Sequence, residues 1–216
     1  MKSLELFSGA GGLAKGLELA GFEHSAFVEF NEDACASLRR NFDAEKVFEG
    51  NIQDFDFYQL SEIDVVAGGP PCQPFSLGGK HGANNDCRDM FPYAINAIEI
   101  LSPKAFVFEN VKGLLRETFS DYFRYIILRL TFPDAHPTLK ATWREHFKSL
   151  QKINYGRYEG IKYKVKHTLV NAADYGVPQG RERGIIVGIR SDLDATWEFP
   201  SPTHREERLL WNKFVT

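Results

Sequence analysis

One cysteine of this chain stands in a setting that a packing residue would not need. Cys72 lies in the run GGPPCQPFS at residues 68–76, directly after the apolar segment 64–67. Proline fixes φ and removes an amide donor, so the three prolines of this run predict a stiff, non-helical corner. A sulfur held rigidly at the end of a buried strand is typical of a nucleophile directed at a substrate. We therefore predict that Cys72 acts as a nucleophile.

Charged side chains in two further segments could act with this cysteine. Glu109 stands at the mouth of an apolar strand, in the run FVFENV. Arg181 and Arg183 occupy alternate positions of the run PQGRER, so both side chains point the same way if the backbone is extended. Because ligands of parallel sheets bind at the carboxyl ends of the strands, we expect Cys72 and Glu109 to share one site.

A glycine-rich loop, FSGAGGL at residues 7–13, precedes all of these segments. Glycines allow a tight turn and let a ligand approach the amides at a helix N-terminus. Glu29 ends the next predicted strand and could accept hydrogen bonds from both hydroxyls of a ribose. The same pattern fits a dinucleotide fingerprint, so the loop by itself does not distinguish NAD from another adenosine cofactor.

The elements that must position these residues alternate between short apolar runs and helical patterns, which predicts an α/β fold with a mostly parallel sheet. Asp33 is the expected N-cap of the second helix, and the strongly apolar strand at 105–109 is expected inside the sheet. A helical insertion at about 119–160, with two helices and the proline loop 132–137, is predicted before the last strand pair. Strands are predicted at 4–7, 25–29, 46–48, 64–67, 105–109, 164–171 and 184–190, and helices at 12–19, 33–41 and 95–101.

The composition predicts a single globular domain over residues 1–216, with 43% hydrophobic and 25% charged residues. A formal net charge of -3 argues against a surface built entirely for nucleic acid, although it allows a local basic cleft. The three cysteines fit neither a disulfide framework nor a CxxC metal site, and the six histidines lack metal spacing. We therefore expect no bound metal and a cytoplasmic protein, with Cys35 a packing residue and Cys87 a bystander.

Taken together, the motifs LFSGAGGL, GGPPCQPFS, ENV and PQxRxR, in this order, resemble those of the DNA (cytosine-5)-methyltransferase family. The resemblance covers nearly the whole chain except the predicted helical insertion. It implies a Rossmann-like methyltransferase fold and S-adenosyl-L-methionine as the cofactor. It also implies double-stranded DNA as the partner, with a cytosine flipped out of the duplex, in a bacterial restriction-modification system.

The resemblance assigns a role to each candidate catalytic residue. Carbon 5 of cytosine is a poor nucleophile until a thiolate adds to carbon 6, and Cys72 would supply that thiolate. Glu109 would hold or protonate N3 and so disperse the developing negative charge. Arg181 and Arg183 would bind the base oxygen O2 and orient Glu109, which suits a planar, permanently charged side chain.

The resemblance also implies the cofactor contacts and the contacts with DNA. Asn51 departs from the aspartate usual at the adenine contact, so we expect weaker charge complementarity there rather than loss of binding. The segment 75–88 would be a mobile loop that closes over the flipped base. The implied cofactor contacts are Phe7, Ser8, Gly9, Gly11, Gly12, Leu13, Glu29, Asn51, Ile52 and Pro70, and the implied DNA contacts are Gln73, Ser76, Lys80 and Arg88.

Beyond the arginine segment, the family pattern continues into a target recognition domain and final motifs that this sequence lacks. We therefore expect the chain alone to be incomplete as an enzyme and to bind DNA weakly and without sequence preference, either as a subunit beside a second polypeptide or as a truncated product. Robust, site-specific methyl transfer by the isolated chain would contradict this expectation. Two alternatives stay open. A branch of the family methylates transfer RNA with the same cysteine chemistry, and the chain could also be a non-catalytic subunit of a split methyltransferase.

Overall fold

The computed structural model describes residues 1–71 and 89–204, which form a seven-stranded sheet with helices on both faces. The strand order is β3-β2-β1-β4-β5-β7-β6, with β1 to β5 parallel and β7 antiparallel to both of its neighbours. The strands are β1 Lys2–Leu6, β2 Glu23–Glu29, β3 Val47–Glu49, β4 Val65–Gly68, β5 Ala105–Val111, β6 Tyr163–Asn171 and β7 Glu182–Arg190. The α-helices are α1 Gly12–Leu19, α2 Glu32–Asn41, α3 Phe91–Leu101, α4 Ser120–Thr131 and α5 Trp143–Leu150.

The predicted α/β fold is confirmed, with every predicted strand displaced by at most two residues at either end. The prediction for the cap of α2 is wrong. Asn31, and not Asp33, is the N-cap, because its side-chain oxygen accepts from the amide of Ala34 at 2.9 Å. Asp33 lies inside the first turn, where its charge favours the helix dipole. Helix α3 also begins four residues earlier than predicted, at Phe91.

The two faces of the sheet are packed unequally. The larger core joins β1, β4 and β5 to α3 and α4, and its central side chains include the fully buried Phe106 and Phe108. The smaller core lies under α1 and α2 and contains Phe27 and Cys35. Cys35 is fully buried, which confirms its packing role, and burial raises the pKa of its thiol.

The predicted helical insertion is present as α4 and α5, between β5 and β6. Helix α5 begins with a capping box in which Thr142 and Glu145 satisfy each other's backbone amides. Trp143 packs edge-on against Tyr122 of α4, with ring centroids 5.2 Å apart. The insertion therefore forms a cover over the β6 side of the sheet. Within residues 1–71 and 89–204, no helix has the length and apolar character needed to cross a membrane.

Candidate active site

Four strands of the sheet end at the same level and deliver the predicted site residues to one edge. Leu6 is in register with Val28 and with Gly68, and Gly68 is in register with Phe108. The residues that follow these positions are Phe7, Glu29, Gly69 and Glu109. Because β7 runs antiparallel to β5, the beginning of β7 reaches the same edge and brings Arg183 opposite Val111. The register thus explains how distant motifs meet.

The glycine loop follows β1 and contains three residues with positive φ. These are Phe7 (52°), Gly9 (53°) and Gly11 (88°). A Cβ on Gly11 would lie 2.5 Å from the ring of Phe42 and 3.0 Å from Leu38, so this glycine is required for the packing of α2. A Cβ on Gly9 would meet no atom within 4 Å. Gly9 therefore leaves open space beside its backbone, and Gly11 does not.

The carboxylate of Glu29 is almost fully bonded by backbone amides. One oxygen accepts from the amide of Gly9 at 2.8 Å, and the other accepts from the amides of Phe30 and Asn31 at 2.9 Å each. The side chain is buried, with 7% of its surface exposed. A carboxylate can accept about four hydrogen bonds, so the oxygen facing Gly9 retains one acceptor position. Glu29 thus fixes the glycine loop and keeps capacity for one further donor.

An aromatic side chain at this edge was missed by the sequence analysis. Phe30 directly follows Glu29 and is 72% exposed, which is unusual for a phenylalanine. Ile52, on the neighbouring connection after β3, is buried. Asn51 uses its side-chain oxygen to accept from the amide of Gln53 at 3.1 Å, so part of its acceptor capacity is already taken. The signal that could have identified Phe30 was an aromatic residue directly after the strand-end acid.

Asn110 connects the ends of β4 and β5. Its amide nitrogen donates to the carbonyl of Pro70 at 2.8 Å, and its oxygen accepts from the amide of Val111 at 2.9 Å. The side chain is buried, and the carbonyl of Pro71 accepts from the amide of Met90 at 3.0 Å. The segment that leads to Cys72 is therefore held on both sides. Cys72 itself, with Gln73, Ser76, Lys80, Cys87, Arg88 and the predicted mobile loop, lies outside the described residues.

Glu109 and Arg183 form the ion pair that the sequence analysis expected. The Nε atom of Arg183 lies 2.7 Å from Oε1 of Glu109, and the two side chains are 23% and 33% exposed. A guanidinium nitrogen of Arg183 also donates to the carbonyl of Glu182 at 2.7 Å, which fixes its orientation. The other oxygen of Glu109, Oε2, lies beside Gly69: a Cβ there would be 3.5 Å away, at ordinary van der Waals distance. The carboxylate of Glu109 therefore lies next to Gly69, the residue that follows β4.

Arg181 lies just before β7 and is exposed. Its amide donates to the side-chain oxygen of Asn171 at 3.0 Å, and its carbonyl accepts from the amide of Ala172 at 2.9 Å. These bonds close the connection between β6 and β7 and fix the backbone of the arginine segment. Within the described ranges, no group of three or more His, Cys, Asp and Glu residues could hold a metal ion.

The remaining predicted cofactor contacts lie around the same loop. Ser8 donates its hydroxyl to the carbonyl of Glu5 at 3.0 Å, which ties the loop to β1. Gly12 is exposed and Leu13 half-buried in the first turn of α1, and Pro70 is buried behind Asn110. The structure therefore gathers Phe7 to Leu13, Glu29, Ile52 and Pro70 at one end of the sheet.

One family model and several curated proteins match this chain over most of its length. The model of the family "C-5 cytosine-specific DNA methylase" matches residues 1–134 and 137–213. The chain is 36% identical over 208 residues to the Type II methyltransferase M.NgoMIV of Neisseria gonorrhoeae, covering 96% of this chain and 58% of that protein. It is 37% identical to the Type II methyltransferase M.AquIA of Picosynechococcus, covering 94% of this chain and 77% of that protein.

A solved structure shares the fold over nearly the whole chain. It is described as a DNA modification methyltransferase encoded within an E. coli prophage, and it superposes with a TM-score of 0.66 at 25% identity. The match covers 92% of this chain and 49% of that chain. The chain thus spans between about half and three quarters of the length of these proteins.

Proposed function

Because this chain belongs to the C-5 cytosine-specific DNA methylase family, we propose that it transfers a methyl group from S-adenosyl-L-methionine to carbon 5 of cytosine in double-stranded DNA. The relatives named Type II methyltransferases favour a role in a bacterial restriction-modification system, acting on DNA in the cytoplasm. The observation that carries the proposal is the Glu109–Arg183 ion pair beside the segment that leads to Cys72. This pair is suited to a base that must be bound and polarised at once.

In the proposed reaction, the thiolate of Cys72 adds to carbon 6 of the flipped cytosine and the ring electrons move toward carbon 5 and N3. Glu109 holds N3 and stabilises the charge that develops there, with Arg183 fixing its carboxyl group at 2.7 Å. Carbon 5 would then form its new bond to the methyl carbon while the bond from that carbon to the cofactor sulfur breaks, and the electron pair of that bond stays on the sulfur. A solvent base would then take the proton from carbon 5, the electrons of that C–H bond restore the double bond between carbons 5 and 6, the bond between Sγ and carbon 6 breaks, and the thiolate of Cys72 is regenerated.

The residues at the strand ends fit the adenosyl cofactor. The open space beside Gly9 allows close approach of a ligand to the loop, and the free acceptor position of Glu29 suits one ribose hydroxyl. Phe30 offers an exposed ring on which an adenine would stack. Ile52, which is 5% exposed, stays a proposed contact on the basis of the family resemblance. When bound, the cofactor supplies a methyl carbon made electrophilic by the positively charged sulfur attached to it.

We assign Arg181 to the base oxygen O2, because its backbone is fixed two residues before Arg183 and its side chain is exposed. Gln73, Ser76, Lys80 and Arg88 remain the proposed DNA contacts. Asn110 acts as a positioning residue for Cys72, since its buried amide fixes the carbonyl of Pro70, two residues before the nucleophile. Removal of this amide should slow covalent addition more than it weakens cofactor binding.

The test is covalent capture of 5-fluorocytosine placed in duplex DNA, together with incorporation of tritiated methyl groups into duplex DNA and into transfer RNA. The fluorine at carbon 5 cannot leave as a proton does, so the adduct with the nucleophile persists. We expect a covalent complex that requires the cofactor and disappears in Cys72→Ser. Capture that survives Cys72→Ser would overturn the proposed nucleophile. Incorporation into transfer RNA alone would overturn the assignment to DNA.

A further inference from the structure

Two cations beside Glu109 have no part in the chemistry described above. They lie on the short turn Lys112–Leu115 and the residue after it, directly beyond β5. Lys112 is three residues past Glu109, its side chain is 57% exposed, and Arg116 is also exposed. Both cations therefore stand at the rim of the edge where the base is proposed to bind.

The turn is firmly attached to the sheet. Leu114 is 1% exposed, and Leu115 packs so closely on β7 that a Cβ on Gly184 would lie 3.3 Å from it. The amide of Arg116 donates to the carbonyl of Gly113 at 3.3 Å, and its carbonyl accepts from the amide of Phe119 at 2.9 Å. The positions of both cations are thus set by packing and by backbone hydrogen bonds.

The carboxylate of Glu182 lies 2.6 Å from Nζ of Lys112. Glu182 is the residue between the two arginines of the PQGRER run, and its own carbonyl accepts from Arg183. Within residues 1–71 and 89–204, the structure records no ion pair for the side chain of Arg116. Lys112 is therefore held by the exposed carboxylate of Glu182, and the guanidinium of Arg116 is available to a ligand.

We propose that Lys112 and Arg116 bind phosphates of the DNA strand that carries the target cytosine. A base held by Glu109 stays attached to its own sugar and phosphates, so those phosphates must pass the rim of the same edge. Lysine and arginine are the side chains that most often contact DNA phosphates, and such contacts set register without reading sequence. Glu182 holds Lys112 in place in the free protein and is exchanged for phosphate when DNA binds. This proposal rests on the proposed function, because it uses the same base site.

The opposite end of β5 provides a matched control. Lys104 precedes β5, is 60% exposed, and has its Nζ 2.6 Å from the carboxylate of Asp64. It thus forms the same kind of ion pair as Lys112, at the edge away from the proposed base site. Lys104→Met removes one surface charge of equal sign, so it separates a local phosphate contact from a general effect of net charge.

The experiment measures the affinity of the full chain for a duplex oligonucleotide between about 50 and 200 mM salt, in the Cys72→Ser background. For Lys112→Met and for Arg116→Met we expect about five- to tenfold weaker binding near 0.1 M salt, and a slope of log K against log salt reduced by about 0.9. Glu182→Gln should strengthen binding, because it removes the competing carboxylate. Lys104→Met should match the parent in both quantities.

Equal slopes for Lys112→Met, Arg116→Met and Lys104→Met would overturn the phosphate site, as would a complete failure of the parent to bind duplex. Methyl transfer and 5-fluorocytosine capture are measured separately in the Cys72 protein. Reduced slopes without any capture would contradict the proposed reaction and leave the phosphate contacts intact. Covalent capture with slopes equal to that of the parent would contradict the phosphate contacts and leave the proposed reaction intact.

Discussion

Glu29 and Glu109 both end or nearly end a parallel strand at the same edge of the sheet, yet the structure surrounds them in opposite ways. Glu29 is 7% exposed and accepts from three backbone amides. Glu109 has a side chain that is 33% exposed and has an ion pair with one side chain, Arg183. The first carboxylate is bonded by the main chain, and the second by a group that can move.

This difference indicates different roles for the two carboxylates. Backbone amides cannot leave without unfolding the loop, so Glu29 presents a fixed acceptor and its main effect is on the shape of the proposed cofactor site. A side-chain partner and partial exposure leave Glu109 free to bind a base and to share charge with it. We therefore expect Glu29 mainly to stabilise the glycine loop and Glu109 mainly to act in the reaction. Substitutions at the two positions should accordingly change different properties of the protein.

The largest expected effect is on catalysis at Glu109. Glu109→Gln keeps the size of the side chain but removes the carboxylate, so we expect methyl transfer to fall by about 10²- to 10⁴-fold. Thermal stability and the affinity for S-adenosyl-L-methionine should remain close to those of the parent. Single-turnover kinetics and a cofactor titration would measure the two properties. A large drop in the melting temperature of Glu109→Gln would contradict this expectation, because Glu109 would then support the fold as Glu29 does.

Glu29→Ala should act mainly on stability. It leaves the amides of Gly9, Phe30 and Asn31 without their acceptor, and we expect a loss of about 2–4 kcal/mol in the free energy of unfolding. Urea unfolding monitored by fluorescence would measure it, with Glu32→Ala on the exposed first turn of α2 as the control. If Glu29→Ala retained the parent's stability while losing cofactor binding, the carboxylate would act only through its proposed ribose contact and would not support the loop.

Arg183→Lys tests whether the geometry of the Glu109–Arg183 ion pair matters in addition to its charge. A lysine retains the positive charge but cannot use Nε and a terminal nitrogen together, as Arg183 does toward Glu109 and the carbonyl of Glu182. We expect turnover to fall about tenfold, equal to about 1.4 kcal/mol, with little change in the apparent affinity for the cofactor. Steady-state kinetics would separate these constants, and unchanged turnover would show that charge alone suffices.

The smallest effect is expected at the loop that Glu29 supports. Gly9→Ala introduces a Cβ at φ 53°, which should cost about 1 kcal/mol of stability and also weaken cofactor binding. Gly16→Ala is the matched control, because its Cβ also meets no atom within 4 Å but its backbone is helical and it is not among the proposed cofactor contacts. Thermal melts with and without cofactor would compare them, and equal ligand-induced shifts in the two variants would contradict a cofactor at Gly9.

The sequence motifs identified most of the residues at this edge of the sheet, because the side chains in those motifs are of types that take part in catalysis and ligand binding. The strands were found from their apolar runs, and these put the glycine loop and Glu109 at strand ends. The contact of Arg183 with Glu109 was implied by the family resemblance and not by spacing. The bonds of Glu29 could not be foreseen, since every non-proline residue has the same amide and the sequence does not show where it points. The contact of Asn110 with Pro70 depends on the register of β4 against β5, which the sequence leaves open.

Capping and exposure were harder to predict for a similar reason. Asn31 and Asp33 are both good cap residues, and the choice between them follows from where the amides of Phe30 and Asn31 meet Glu29. Phe30 resembled an ordinary apolar residue until the sheet edge showed its ring in solvent. In each case the decisive factor was a tertiary position and not a local preference.

Phe42 belongs to none of the motifs, yet its ring occupies the space that a side chain on Gly11 would need. The curvature of the glycine loop is therefore set partly by a core aromatic more than 30 residues farther along the chain. Shortening this ring would leave a gap in the smaller core beneath Gly11, and the loop backbone could then shift without a change in any motif residue.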